Sequence, residues 1–153
     1  MMMRAGALKW MGAAAAVIAA AALLSNLELP PRCTRVAGAG GVSIDLSALA
    51  RGQARLFCYQ DQAGDKIRFI LARGSDGAVH SVFDACRQCY SYRKGYRLNP
   101  NGNLVCRLCG NRYSVDNMMN GKASCVPVAL RHQQSGSTVR ISAADIRGGR
   151  GLF

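Results

Sequence analysis

The first apolar feature of the chain is an uncharged run over residues 10–27, rich in alanine and carrying Val17, Ile18, Leu23, Leu24 and Leu27. Arg4 and Lys9 precede it, and Glu28 with Pro30-Pro31 closes it. A basic end, an apolar stretch and a double-proline stop predict a signal anchor or transmembrane helix over residues 1–29. The 18 uncharged residues sit at the lower limit for crossing a bilayer, and alanine makes them less apolar than a leucine-rich span. Cleavage at the small residues Ala20 and Ala22 therefore competes with retention as an anchor, and the anchor is the favoured reading. Arg4 and Lys9 on one flank stand against Arg32 and Arg35 on the other, so the positive-inside count is close to a tie. Pro31-Arg32 before Cys33 does not make a lipidation signal. With no twin-arginine pair, export is expected as an unfolded chain that acquires any metal afterwards.

Residues 30–54 contain Pro30, Pro31, Gly38, Gly40, Gly41 and Gly52, which predicts a Gly/Pro-rich linker with one short strand at 42–46. The folded body is expected over 55–153. Short runs rich in β-branched and aromatic residues at 56–59, 66–72 and 78–83 are separated by turn-forming clusters at 61–65 and 74–77. They predict a three-stranded antiparallel meander. In the second run Ile67, Phe69 and Leu71 alternate with Lys66, Arg68 and Ile70, the pattern of a sheet with one apolar and one wet face. A turn at 99–102 leads into Leu104-Val105, a closing strand is expected at 138–141, and 143–146 suits one helical turn. The fold class is mainly β, a small antiparallel sheet domain.

Charge and cysteine content then sharpen the reading. The chain of 153 residues has a formal charge of +12, and residues 30–153 contain no glutamate. Seven cysteines against two histidines exclude a histidine-rich metal site. Cys86 and Cys89 form one CxxC pair and Cys106 and Cys109 another, with 16 residues between the pairs. A CxxC turn aims two sulfurs at one metal while backbone N–H groups hydrogen-bond to the thiolates, and Gly110 suits such a turn. Two knuckles joined by a hairpin predict a four-cysteine metal site, suited to zinc, a single iron or an iron–sulfur cluster. Arg87, Arg93, Lys94, Arg97, Arg107 and Arg112 crowd the same segment and favour thiolate over thiol.

Disulfide exchange is the competing thiol chemistry, but no helical pattern follows Cys89, so metal binding is favoured. Cys125 is an additional metal ligand, a redox thiol or a packed thiol, and Cys58 is expected to be a small core residue. Met118-Met119 serves packing before copper, and His80 and His132 stand isolated. Tyr90, Tyr92, Tyr96 and Tyr113 interleave with basic residues, which keeps a zinc-ribbon nucleic-acid module as a rival; the apolar amino terminus disfavours it. No phosphate loop, Ser-His-Asp order or carboxylate pair is visible, and a self-contained enzyme is not expected.

The segments Val82-Phe83-Asp84-Ala85-Cys86-Arg87-Gln88-Cys89-Tyr90, Lys94-Gly95-Tyr96, Val105-Cys106-Arg107-Leu108-Cys109-Gly110 and Cys125-Val126-Pro127 resemble the DUF2318 family of Fe-S-containing predicted membrane proteins. The likeness runs over most of residues 52–153. It implies a membrane-associated or periplasmic domain whose cysteines hold an iron–sulfur centre or another metal, with some relatives found alongside iron permeases. The family's two CxxC pairs fall on Cys86, Cys89, Cys106 and Cys109, and its later cysteine on Cys125. Where the family shows Gly-Gly-Cys-Asn-Pro, this chain has Ala123-Ser124-Cys125-Val126-Pro127.

The expectation is thus a protein held in the inner membrane by its amino terminus, its soluble domain periplasmic. Its iron–sulfur cluster would serve electron transfer linked to iron uptake or respiration. The alternative is non-redox metal binding, either structural zinc or periplasmic delivery of iron or copper. A redox partner or a membrane metal transporter is the expected partner, and nucleic acid is not favoured.

Overall fold

The structure is a computed structural model describing residues 33–119 and 125–153. The signal anchor expected over 1–29 lies outside these residues, and among them no helix is long and apolar enough to cross a membrane. In chain order the strands are β1 (Thr34–Val36), β2 (Gly41–Asp45), β3 (Gln53–Gln60), β4 (Lys66–Arg73) and β5 (Val79–Cys86). Then come β6 (Tyr96–Leu98), β7 (Leu104–Cys106), β8 (Arg112–Tyr113), β9 (Pro127–Ala129), β10 (Gln133–Ser135) and β11 (Thr138–Ser142), with one short helix, α1 (Ala143–Arg147). The fold is mainly β, as the alternating pattern predicts.

The meander expected from three β-rich runs is β3-β4-β5, the centre of a five-stranded sheet in the order β1-β3-β4-β5-β9. β1 joins β3 in parallel and the other pairings are antiparallel. A second sheet is ordered β10-β11-β2 and a third, the ribbon β6-β7-β8, carries the second cysteine pair. The expected helical turn is α1, capped where Ser142 Oγ accepts from Asp145 N–H at 3.0 Å.

The linker expected over 30–54 is corrected at 34–48, where the chain enters two sheets. Val42, Leu46 and Leu49 are buried in the main core, and β2 pairs along its whole length with β11. The short strand expected at 42–46 is β2, and the glycines that mark a linker in the sequence serve turns between strands.

The wet face expected on β4 is also corrected. Ile67, Phe69 and Leu71 pack with Phe57, Phe83, Val139, Ile141 and Ile146 between the first two sheets, where the Phe57 and Phe69 rings stack at 5.3 Å. Ile70, Ala72 and Val82 on the opposite face are fully buried beneath the cysteine ribbon. Each large apolar side chain buried in this way contributes on the order of 2 kcal/mol. Arg68 makes that face look solvated in the sequence, but it faces Asp84 across the sheet, with Nε 2.9 Å from Oδ2.

Cys58 is not a plain core residue. It is disulfide-bonded to Cys33, which fastens the beginning of β1 to β3 across 25 residues of chain. Restricting the unfolded chain by a loop of that length is worth about 3 kcal/mol. Replacing both Cys33 and Cys58 by Ser should lower the unfolding free energy in urea by about that amount, and an unchanged midpoint would show that the link contributes nothing.

Candidate metal centre

Each knuckle starts where a strand ends. β5 stops at Cys86, and the turn to Cys89 is closed by Cys89 N–H donating to the Cys86 carbonyl at 3.1 Å. A single helical turn over Tyr90–Tyr92 follows, and Arg93 and Gly95, both at positive φ, swing the chain into β6. Asn99 makes the hairpin turn, its Oδ1 accepting from Asn101 N–H at 3.0 Å and Asn103 N–H at 2.9 Å. β7 then delivers Cys106, and Gly110, at φ 74°, closes the second knuckle by donating N–H to the Cys106 carbonyl at 3.0 Å.

Cys125 arrives by a different route. It lies just before β9, which pairs with β5 at Cys86 opposite Pro127, and Arg87 N–H donates to the Val126 carbonyl at 2.9 Å. Sheet pairing therefore places a fifth sulfur beside the knuckles, and Tyr113 O–H fixes it further by donating to the Cys125 carbonyl.

Five sulfurs meet here in two overlapping sets. The Sγ atoms of Cys86, Cys89 and Cys106 lie within 4.8 Å of one another, as do those of Cys89, Cys109 and Cys125. Cys89 belongs to both, and its Sγ is 3.5 Å from that of Cys125. Cys86, Cys89, Cys106 and Cys125 are buried and Cys109 is exposed, so the centre has one open side. Met118 is fully buried in the apolar cluster around these cysteines while Met119 is exposed, which fits packing for the former. His132 is engaged elsewhere, with Nδ1 2.7 Å from the Ser81 hydroxyl. That hydroxyl donates to the Leu130 carbonyl, so His132 is the donor in the pair.

The electrostatics divide the thiols. Burial opposes ionisation of Cys86, yet the N–H groups of Gln88 and Cys89 and the neighbouring thiols hold its pKa below the ordinary thiol value. Cys109 is lowered likewise, against burial, by the Asn111 N–H and by Cys106, Cys125 and Cys89. One thiol in each knuckle thus ionises more readily than an ordinary thiol. Burial raises Cys89 and Cys106, and the contact with Cys109 pushes Cys125 up to about 11. Sulfurs this close cannot all ionise without a cation among them, which is the condition that a metal relieves.

A buried carboxylate fastens the ribbon to the central sheet. Asp84 Oδ1 accepts from Tyr96 N–H at 2.6 Å, and Oδ2 faces Arg68. Burial pushes the carboxyl pKa up to about 6, against the Tyr96 N–H and the charges of Arg68 and Arg107. Arg107, in the second knuckle, donates backbone N–H to the Gly95 carbonyl at 3.0 Å and side-chain Nε–H to the Tyr96 carbonyl at 3.2 Å. The sequence offers a signal for Asp84, a lone acid two residues before Cys86 in a basic stretch, but not for its partner.

Gly95 has no room for a side chain, because a Cβ would lie 2.5 Å from Asp84 Oδ2, and its φ is +65°. Gly64 shares the positive φ with open space around it. Gly64→Ala should cost about 1 kcal/mol, and Gly95→Ala distinctly more, about 3 kcal/mol, with loss of bound metal. Equal costs in denaturant titrations would show that the Asp84 contact is unimportant.

Comparison with known proteins comes down to one family. No curated protein matches the chain. Among solved structures, the quaternary ammonium Rieske monooxygenase CntA in complex with inhibitor MMV12 is similar over 66% of this chain and 30% of its own, with 15% identity and a TM-score of 0.43. The apo form of a quaternary ammonium Rieske monooxygenase CntA matches over 66% and 31%, with 15% identity and a TM-score of 0.41. The chain thus spans less than a third of those proteins, and a likeness at this level carries neither fold nor function to it. A family model matches residues 49–153, a stretch that holds all five clustered cysteines, Asp84 and Tyr96. The chain belongs to the family of FtrD-like membrane iron-sulfur containing proteins.

Proposed function

We propose that this protein is a membrane-anchored electron carrier whose iron–sulfur cluster is held by Cys86, Cys89, Cys106 and Cys109, with Cys125 as an additional thiol at the same centre. The observation that carries the reading is the convergence of five cysteine sulfurs, four of them buried, in a member of an iron–sulfur family. Every side chain in the two sulfur sets is a cysteine, the soft donor set that iron–sulfur clusters use. Such a cluster supplies one-electron chemistry when bound. The protein's part is to keep the sulfurs away from water, to ease the ionisation of two of them and to leave one edge accessible.

That edge is Cys109, flanked by exposed Leu108; Tyr90 and Tyr92, just after the first knuckle, are exposed as well. The exposed bases Arg87, Arg93, Lys94, Arg97 and Arg112 belong to the same segment and suit an acidic redox partner. The Cys33–Cys58 disulfide fits an oxidising compartment, which supports a periplasmic domain on an inner-membrane anchor. In that position the carrier would serve iron uptake through a membrane metal transporter, or respiration.

A second reading has its own observation. Four sulfurs at 2.3 Å around one ion are separated by about 3.8 Å, close to the 3.5 Å between Cys89 and Cys125. A mononuclear centre, zinc or a single iron, therefore also fits, and metal binding without redox is the alternative.

The test uses the full-length protein, extracted in detergent without oxygen. An electron carrier contains iron and acid-labile sulfide and has a visible band that bleaches with dithionite. Cys86→Ser and Cys109→Ser should each remove most of the iron and the band. A colourless protein holding one zinc would overturn electron transfer, and iron unchanged in both variants would overturn the ligand set.

A further inference from the structure

We propose that Tyr96 donates a hydrogen bond from its phenolic O–H to the metal-bound sulfur of Cys86 and thereby sets the electron affinity of the centre. The electron-affinity part rests on the iron–sulfur reading above; the donation itself does not.

Tyr96 is 2% exposed, yet its hydroxyl has no hydrogen-bond partner among the described residues. A buried hydroxyl without a partner costs free energy, and proteins keep few of them. The position of this one is specific. Tyr96 on β6 stands directly opposite Cys106 on β7, so the two side chains share a face, and both pack with Cys86 in one buried cluster. A phenol keeps its proton at neutral pH and so is a donor. The sulfurs around it are acceptors once a metal has taken their protons.

Contacts hold Tyr96 on its backbone and along its ring. Asp84 holds the Tyr96 N–H at 2.6 Å, Arg107 Nε reaches its carbonyl at 3.2 Å, and Tyr113 meets the ring edge-on with centroids 6.2 Å apart. Tyr113 is the useful contrast, because its own hydroxyl is already satisfied by the Cys125 carbonyl. Of the two tyrosines at the centre, only Tyr96 has a donor to spare.

A donor aimed at sulfur binds the reduced centre more tightly than the oxidised one, because reduction adds negative charge to those sulfurs. Removing the donor makes reduction harder. Tyr96→Phe deletes one buried oxygen that bonds to no other protein group and keeps the ring in place.

The experiment is a redox titration of the full-length protein, followed by its visible band, with iron content and urea midpoint measured alongside. Tyr96→Phe should keep its iron and its midpoint of unfolding while the equilibrium constant for reduction falls about tenfold, a shift of about 59 mV for a one-electron couple. An unchanged potential with full iron content would overturn the proposal. So would a marked loss of unfolding stability, since the hydroxyl would then be serving the fold. If the wild-type protein proves to hold a redox-inactive metal, the electron-carrier reading fails by itself. The donation is then read from metal loss to a chelator: faster release from Tyr96→Phe supports it, and an equal rate overturns it.

Discussion

The metal centre depends on one buried contact, the carboxylate of Asp84 on the backbone of Tyr96. It bridges the central sheet, which would fold around its apolar core in any case, and a ribbon of three short strands too small to hold a shape alone. Asp84 is two residues from Cys86, and Tyr96 stands opposite Cys106. Fixing the distance between carboxylate and amide therefore fixes the distance between the two knuckles. Arg68 keeps that carboxylate ionised from the sheet side, and Arg107 closes the ribbon from the other. The absence of a side chain at Gly95 is what lets the two layers approach.

From that contact the chemistry follows by strand geometry. Cys86 and Cys106 are the last residues of their strands, so two sheets bring their sulfurs together. β9 adds Cys125 through pairing with the same strand that ends in Cys86. Thiols gathered in this way pack readily as neutral groups but repel one another as anions, and a cation relieves that repulsion. A metal therefore belongs to the energetics of this layer as much as to its function. The disulfide at the opposite edge has a separate role, tying β1 to the sheet without drawing on the clustered cysteines.

Much of this was legible in the sequence where a pattern is local. The three runs that became β3, β4 and β5, the closing strand β11 and the turn of α1 announce themselves through alternation and flanking turn residues. The paired CxxC spacing announced the knuckles, because the reach of a turn is a local property. What the sequence hid was long-range pairing. The strand at 42–46 was legible, but β1 read as linker because its partner β3 lies beyond a Gly-rich stretch of chain. Arg68 read as a solvated residue because Asp84, which faces it, belongs to another strand. The disulfide between Cys33 and Cys58 was invisible for the same reason: cysteine counts do not encode which sulfurs the sheets bring close.

The proposed electron carrier requires that the converged cysteines hold a cluster of iron and sulfide and not a single ion. X-ray absorption at the iron edge of the isolated full-length protein tests it most directly. A cluster gives sulfur as the dominant first neighbour together with iron–iron scattering from a second metal atom. Sulfur coordination without any metal–metal scattering, or a first shell dominated by nitrogen and oxygen, would contradict it.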